Sequence, residues 1–125
     1  MNPPRDTVTV AKRLKDAGYT TCLSGKWHLN SKFNGAEPTP GDFGFDHWFA
    51  TQNNTKHQDP TNFVRDAKKA GPLKGHASAI VVDDAIDFIE KAGDRPFAVF
   101  VTFHAPHEQI ETPAEYTSMY ADVPD

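Results

Sequence analysis

The sequence predicts an α/β fold built on a mostly parallel sheet, and three observations carry that expectation. Helix-like and strand-like patterns alternate along the chain. The run Phe97-Ala98-Val99-Phe100-Val101-Thr102-Phe103 is almost continuously apolar, as expected of a central strand covered on both faces. Polar chemistry is concentrated just past two strand-like runs, in Lys26-Trp27-His28 and in His104-Ala105-Pro106-His107. Open α/β sheets bind ligands beyond the carboxyl ends of their strands.

The elements follow in order. Thr7 to Ala17 has the period of a helix, with Val10, Ala11, Leu14 and Ala17 forming one apolar stripe. Asp6 or Thr7 suits its N-cap, and Gly18 suits the left-handed position past its end. Lys12, Arg13 and Lys15 lie off the stripe, toward the end where the helix dipole favours cations. Tyr19 to Leu23 reads as a strand rich in β-branched and aromatic types. Asn30 to Gly44 holds Gly35, Pro38, Pro40 and Gly41 and reads as loop. Phe45 to Ala50 is a second strand. Thr51 to Lys74 is a long polar connection, of a length that usually serves function or motion. Ser78 to Ala92 is the strongest helix: Val81, Ala85, Phe88, Ile89 and Ala92 line its apolar face, and Val82 and Ile86 widen it. Asp83, Asp84, Asp87 and Glu90 form its expected solvated side, the commoner arrangement for acids on an amphipathic helix than a metal cluster. Residues 97–103 follow as a strand, and Thr112-Pro113 opens a short helix over about Ala114 to Tyr120.

Composition narrows the function classes. The 125 residues carry 13 Lys and Arg against 17 Asp and Glu, a net charge of −4, so no basic nucleic-acid footprint is present. No apolar run approaches the length of a membrane span. Met1-Asn2-Pro3-Pro4-Arg5-Asp6 lacks the apolar core of a signal peptide. A single cysteine, Cys22, excludes an intrachain disulfide and a Cys-rich zinc framework, and it reads as a small buried hydrophobe. Two or three strands make a poor free-standing sheet, so the chain reads as an excerpt of a larger domain.

Several blocks, in order, resemble sulfatases of the arylsulfatase type, within the alkaline-phosphatase-like superfamily. They are Leu14-Lys15-Asp16-Ala17-Gly18-Tyr19-Thr20-Thr21 with Ser24-Gly25-Lys26-Trp27-His28-Leu29; Gly44-Phe45-Asp46-His47-Trp48-Phe49; Asn62-Phe63-Val64-Arg65; Val82-Asp83-Asp84-Ala85-Ile86-Asp87-Phe88-Ile89; and Phe97 to Phe103 with Ala105-Pro106-His107. The resemblance implies part of an α/β/α sandwich: residues 1–125 as the middle of a catalytic domain, without its N-terminal nucleophile and calcium segment or its C-terminal part. The family's Cys/Ser-x-Pro/Ala-x-Arg motif, whose first residue becomes formylglycine, has no counterpart here, and neither do its acidic calcium ligands. Calcium is therefore expected for the longer enzyme and is assigned no ligand in this chain. Two departures stand out: Asn30 replaces a usual Gly, which is expected to alter the turn after His28, and Asp66-Ala67 replaces a usual Asn-Gly.

The resemblance also implies roles. Lys26 would neutralise sulfate and formylglycine oxygens. His28 would be the base that removes a proton from the formylglycine-sulfate intermediate. His107 would contact sulfate and protonate the leaving alcohol. Lys26, His28 and His107 are thus the expected catalytic residues, with Lys26 and His107 also binding substrate. A compact ammonium and imidazoles titrating near neutral pH suit that work. Trp27 reads as a packing wedge. His104 and His107 have the spacing of a zinc pair, but Pro106 and the strand exit oppose a helical face and no third ligand is apparent, so His104 reads as packing or support. His47, His57 and His76 read as surface residues, and the sequon Asn53-Asn54-Thr55 carries little weight. The expected substrate is a sulfated small molecule or carbohydrate, with neither nucleic acid nor membrane as partner, and family habit is export. A phosphate or phosphonate ester hydrolase of the same superfamily, or a non-catalytic fragment, are the competing readings.

Overall fold

The computed structural model describes every residue except Met1, Ser31, Gln109 and Asp125; Met1 and Ser31 belong to the N-terminal hexapeptide and the loop named above. Three longer strands run parallel: β1 (Thr20–Lys26), β2 (His47–Thr51) and, last in the sequence, β5 (Phe97–Thr102). A short antiparallel hairpin, β3 (Val64–Arg65) and β4 (Lys68–Lys69), extends the sheet, giving the order β4-β3-β2-β1-β5. Helices α1 (Val10–Asp16) and α2 (Ala77–Ala92) complete the framework, and α3 (Ala114–Thr117) runs on into a 3-10 turn, Ser118–Tyr120.

Strand alternation sorts side chains onto two faces. Leu23, Trp48 and Ala50 pack with Ala11 of α1, Phe45 and Val64, joined by Trp27, Phe33 and Phe100. Phe49 points the other way and meets Phe63 and Val81 of α2, with Leu73, Ile80 and Val101. Helices thus cover opposite faces, as the α/β/α reading expects. The Ser24 hydroxyl donates to the Val81 carbonyl at 2.9 Å and pins α2 to β1.

Several expectations are corrected. The N-cap of α1 is Thr9, whose hydroxyl accepts the Lys12 amide at 3.1 Å, not Asp6 or Thr7. Only Ala11 of its stripe is buried; Val10 is 60% exposed, because the helix is short and touches the sheet on one narrow line. β1 continues past Leu23 to Lys26, because Ser24 and Gly25 still pair with β2 and β5. β5 is an edge strand rather than a central one, with Phe97 40% exposed. The connection 51–74 hides the β3–β4 hairpin. On α2, Asp84 is buried and Ile86 and Ile89 are exposed. The inner face therefore runs Ala77, Val81, Asp84, Ala85, Ala92, a 3–4 spacing that includes the acid.

Candidate active site

The parallel strands β2, β1 and β5 are neighbours, so their carboxyl ends open at one edge of the sheet. Lys26 is the last residue of β1, opposite Thr51, the last residue of β2. The approach needs Gly25: a Cβ there would lie 1.9 Å from the Thr102 carbonyl oxygen of β5, and φ is +125°. The strand ends can converge only because this position lacks a side chain.

Lys26 and His107 meet through a residue that the sequence reading passed over. The Lys26 ammonium donates to Asn54 Oδ1 at 2.5 Å. The same amide presents Nδ2 to the His107 ring, 3.2 Å from Nδ1 and 3.4 Å from Nε2. His107 Nδ1 also lies 2.9 Å from the Glu108 carbonyl, which can only accept. Nδ1 therefore carries the proton, and Nε2 is the atom able to accept from Asn54. Asn54 lies three residues past β2, a third polar strand exit; ending that strand at Ala50 within a long loop obscured the signal.

A second layer holds the Asn53-Asn54 turn. Thr51 donates its hydroxyl to the Asn53 carbonyl at 2.6 Å and is itself 2.7 Å from His104 Nε2. Since the Thr51 proton is committed, His104 donates from Nε2, and Nδ1 is a bare acceptor. That Nδ1 is buried and without a partner among the described residues. Burial, then the nearby charges of Lys26, His57 and His107, depress the His104 pKa to about 4, so the ring is neutral at physiological pH.

His28 follows the strand end by two residues. It is exposed, has φ +52°, and no hydrogen bond or ion pair joins it to Lys26 or His107 among the described residues. The structure thus brings Lys26 and His107 together through Asn54 and, among the described residues, joins His28 to neither. Asn30 is not the residue that takes the left-handed conformation. Its Nδ2 braces the loop by donating to Lys32 O at 3.1 Å and Pro38 O at 2.8 Å. Trp27 packs between Phe43 and Phe45, with ring centroids at 5.5 and 6.2 Å. Of the remaining histidines, His57 is buried, not superficial, and His76 caps α2 by accepting the Ser78 amide at 3.3 Å.

His47 is also no simple surface residue. It lies between Asp66, 2.9 Å from Nδ1, and Asp84, 3.2 Å from Nε2. The bond to Asp84 raises its pKa, against the effect of burial. Asp84 also pairs with Arg65, and burial, which would raise its pKa, is outweighed by His47 and Arg65. Cys22, His47 and Asp84 are the one trio of potential metal ligands among the described residues. The arrangement opposes a metal: Arg65 already occupies the carboxylate, and burial, then Asp84, push the Cys22 thiol up to about 12.

Comparison with known proteins places these observations. The family model for sulfatases matches residues 1–125. The chain is similar to an N-acetylglucosamine-6-O-sulfatase of Bacteroides thetaiotaomicron, 37% identical over 105 residues, covering 82% of this chain and 17% of that protein. An arylsulfatase of Klebsiella aerogenes is 31% identical over 126 residues, covering 90% of this chain and 26% of the relative. A solved structure in complex with its substrate D-glucosamine-2-N,6-O-disulfate superposes with a TM-score of 0.79 at 31% identity, covering 98% of this chain and 23% of that one. The chain thus spans about a quarter or less of the length of these proteins.

Proposed function

Because the chain belongs to the sulfatase family, we propose that residues 1–125 are the middle of a catalytic domain that hydrolyses sulfate esters, with Lys26, His28 and His107 as its catalytic residues. The observation that carries this reading is the Lys26–Asn54–His107 assembly at the ends of three parallel strands. It sets one cation and one imidazole around a single amide, at the place where such sheets bind ligands. A tetrahedral anion displacing that amide would meet the Lys26 ammonium on one side and His107 on the other.

Each residue has a defined task. Lys26 neutralises charge on the sulfuryl oxygens, a contact that strengthens as charge develops. His107 acts in its doubly protonated form: Nδ1–H stays on the Glu108 carbonyl and Nε2 gives its proton to the departing alcohol oxygen. His28, held at the exposed turn, accepts a proton during release of sulfate. The nucleophile is supplied by the family's formylglycine, a position outside these residues. Sulfatases are generally metal-dependent, and calcium is the ion expected. The Cys22–His47–Asp84 trio does not fit it, since a hard cation takes about 6–8 oxygen ligands. The ion is assigned no ligand here. The ester is that of a sulfated small molecule or carbohydrate, and the relatives' sulfated sugars support that class.

Three measurements test the reading. Inorganic sulfate should shift the NMR signals of Lys26 and His107 in the 125-residue chain, and Lys26→Ala should abolish the shift. In a longer protein carrying this segment, Lys26→Ala or His28→Ala should lower the rate on a sulfate ester by about a hundredfold or more. Undiminished rates in both variants would remove the assigned roles. The 125-residue chain alone should show no turnover of an aryl sulfate, with or without calcium.

A further inference from the structure

Asn54 is shared by Lys26 and His107, and elementary chemistry fixes which way its amide points. An ammonium carries only donors, so the atom facing Lys26 is Oδ1 and the atom facing His107 is the donor Nδ2. Turning the amide round would set two donors against each other. On the ring, Nδ1–H is committed to the Glu108 carbonyl at 2.9 Å, which leaves Nε2 to accept from Asn54. An imidazole nitrogen has a single lone pair. It can accept the amide hydrogen or hold a proton of its own, not both. His107 is therefore neutral while Asn54 is in place, yet delivering a proton to a leaving alcohol needs the doubly protonated ring.

The backbone of Asn54 is pinned, and its side chain has room to move. The backbone N–H donates to Asn53 Oδ1 at 2.8 Å, and the carbonyl accepts Asn62 Nδ2 at 3.0 Å. The residue is exposed, and a cavity of about 400 Å³ opens beside it, walled in part by Lys56, Glu108 and Glu111. The side-chain amide can swing out while the turn that carries it stays fixed.

We propose that Asn54 gates the acid: its amide withholds the second proton from His107 until an anion takes the amide's place at Lys26. The inference rests on the sulfatase reading of Lys26 and His107 and adds how the acid is loaded. When the anion displaces the amide, Nε2 regains its lone pair and takes one proton from solvent, while Nδ1–H stays on Glu108. Two changes favour the uptake: a donor has left Nε2, and negative charge has arrived beside it. The proton later passes to the alcohol oxygen as the sulfur–oxygen bond breaks with its electron pair on that oxygen, and the ring returns to neutral. Three charged or titratable groups stand near the ring. Lys26 opposes the uptake until the anion neutralises it, Glu108 is the next residue in the chain, and His104, whose carbonyl accepts the His107 backbone amide at 2.9 Å, is itself neutral. Asn54 acts through His107 and is a positioning residue.

The test is NMR of the His107 ring nitrogens in the 125-residue chain, with sodium sulfate as the probe, at about pH 7 where imidazoles can change charge. Without sulfate, Nε2 should give the signal of a bare acceptor. Saturating sulfate should convert it to an N–H, with Lys26 shifting in step. Calorimetry in Tris and in imidazole buffers, whose ionisation heats differ, should show proton uptake on binding that His107→Gln removes. Asn54→Asp reverses the sign: a carboxylate of the same shape accepts where the amide donated, so Nε2 should be protonated before any sulfate is added. A merely structural Asn54 predicts no such change. An Nε2 that stays bare in saturating sulfate or in Asn54→Asp, or one already protonated in the sulfate-free parent, would overturn the gate while leaving sulfate binding at Lys26 and His107 in place. No response of Lys26 and His107 to sulfate would sink the sulfatase reading, and the gate with it.

Discussion

Lys26 and His107 were legible as residues because each follows a strand-like run, where polar chemistry is rarely accidental. Asn54 was not, because its importance lies in what it touches across the chain, whereas His104 was legible as a supporting residue and its partner Thr51 was not. His104 makes a prediction with a definite sign. Its folded pKa, about 4, lies below the ordinary value of 6.5, so the unfolded chain binds the extra proton between those pH values. Stability from this group is complete above about pH 6.5 and falls as pH drops toward 4, by about 3 kcal/mol in all. His47 has the opposite sign: its raised pKa contributes stability below about 6.5, lost as pH rises through the folded value. Urea unfolding from pH 4.5 to 6.5 should therefore show the acid-side loss of His104, and His104→Gln, which keeps a donor toward Thr51, should flatten it. An unchanged slope in that variant would mean that other groups govern the acid limb. Gly25 allows a harsher test. Gly25→Ala drives a methyl into the Thr102 carbonyl, and a loss of at least about 3 kcal/mol is expected in the same assay.

The elements were read correctly in kind wherever they were long, and misread where a few residues do the work. The hairpin is the clearest case. Its two-residue turn, Asp66-Ala67, has φ of 45° and 70°, the type I′ pattern that favours Asn-Gly. Ala in that conformation carries a steric cost that Gly escapes, so the usual signal was missing and the strands, two residues each, vanished into a polar connection. Asp66 makes up for part of this by accepting the Trp48 amide at 2.8 Å while holding His47. Ala67→Gly should raise stability by about 1 kcal/mol, net of the added freedom of the unfolded chain, visible as a higher urea midpoint. Asp84 shows the same lesson on α2. Its neighbours Asp83 and Asp87 suggested a wet face, yet its spacing from Ala77, Val81 and Ala92 places it inside, where Arg65 and His47 neutralise it. Asp84→Ala leaves His47 with Asp66 alone and the half-exposed Arg65 without this carboxylate, and a cost of about 1–3 kcal/mol is expected.

At the scale of the molecule, the continuous apolar character of residues 97–103 and the exposure of β5 are one fact seen twice. A strand composed for cover on both faces stands here at a sheet edge, with unpaired backbone groups along one side. Ile86 and Ile89 of α2 are 48% and 38% exposed, and Phe103 is 50% exposed. In the relatives, which are several times longer, more chain is present to pack on such surfaces. On the 125-residue chain they are free to meet each other, and hydrophobic burial favours that at about 25 cal/mol per Å². The chain should therefore self-associate as its concentration rises. Ile86→Lys combined with Ile89→Lys removes the apolar spots while leaving Val81, Ala85 and Ala92 on the inner face. The double variant should stay monomeric in light scattering at concentrations where the parent associates, with unfolding stability changed by no more than about 0.5 kcal/mol per site. Equal association of the two would place the contact on the β5 edge instead, where a charged residue at Phe103 becomes the decisive substitution.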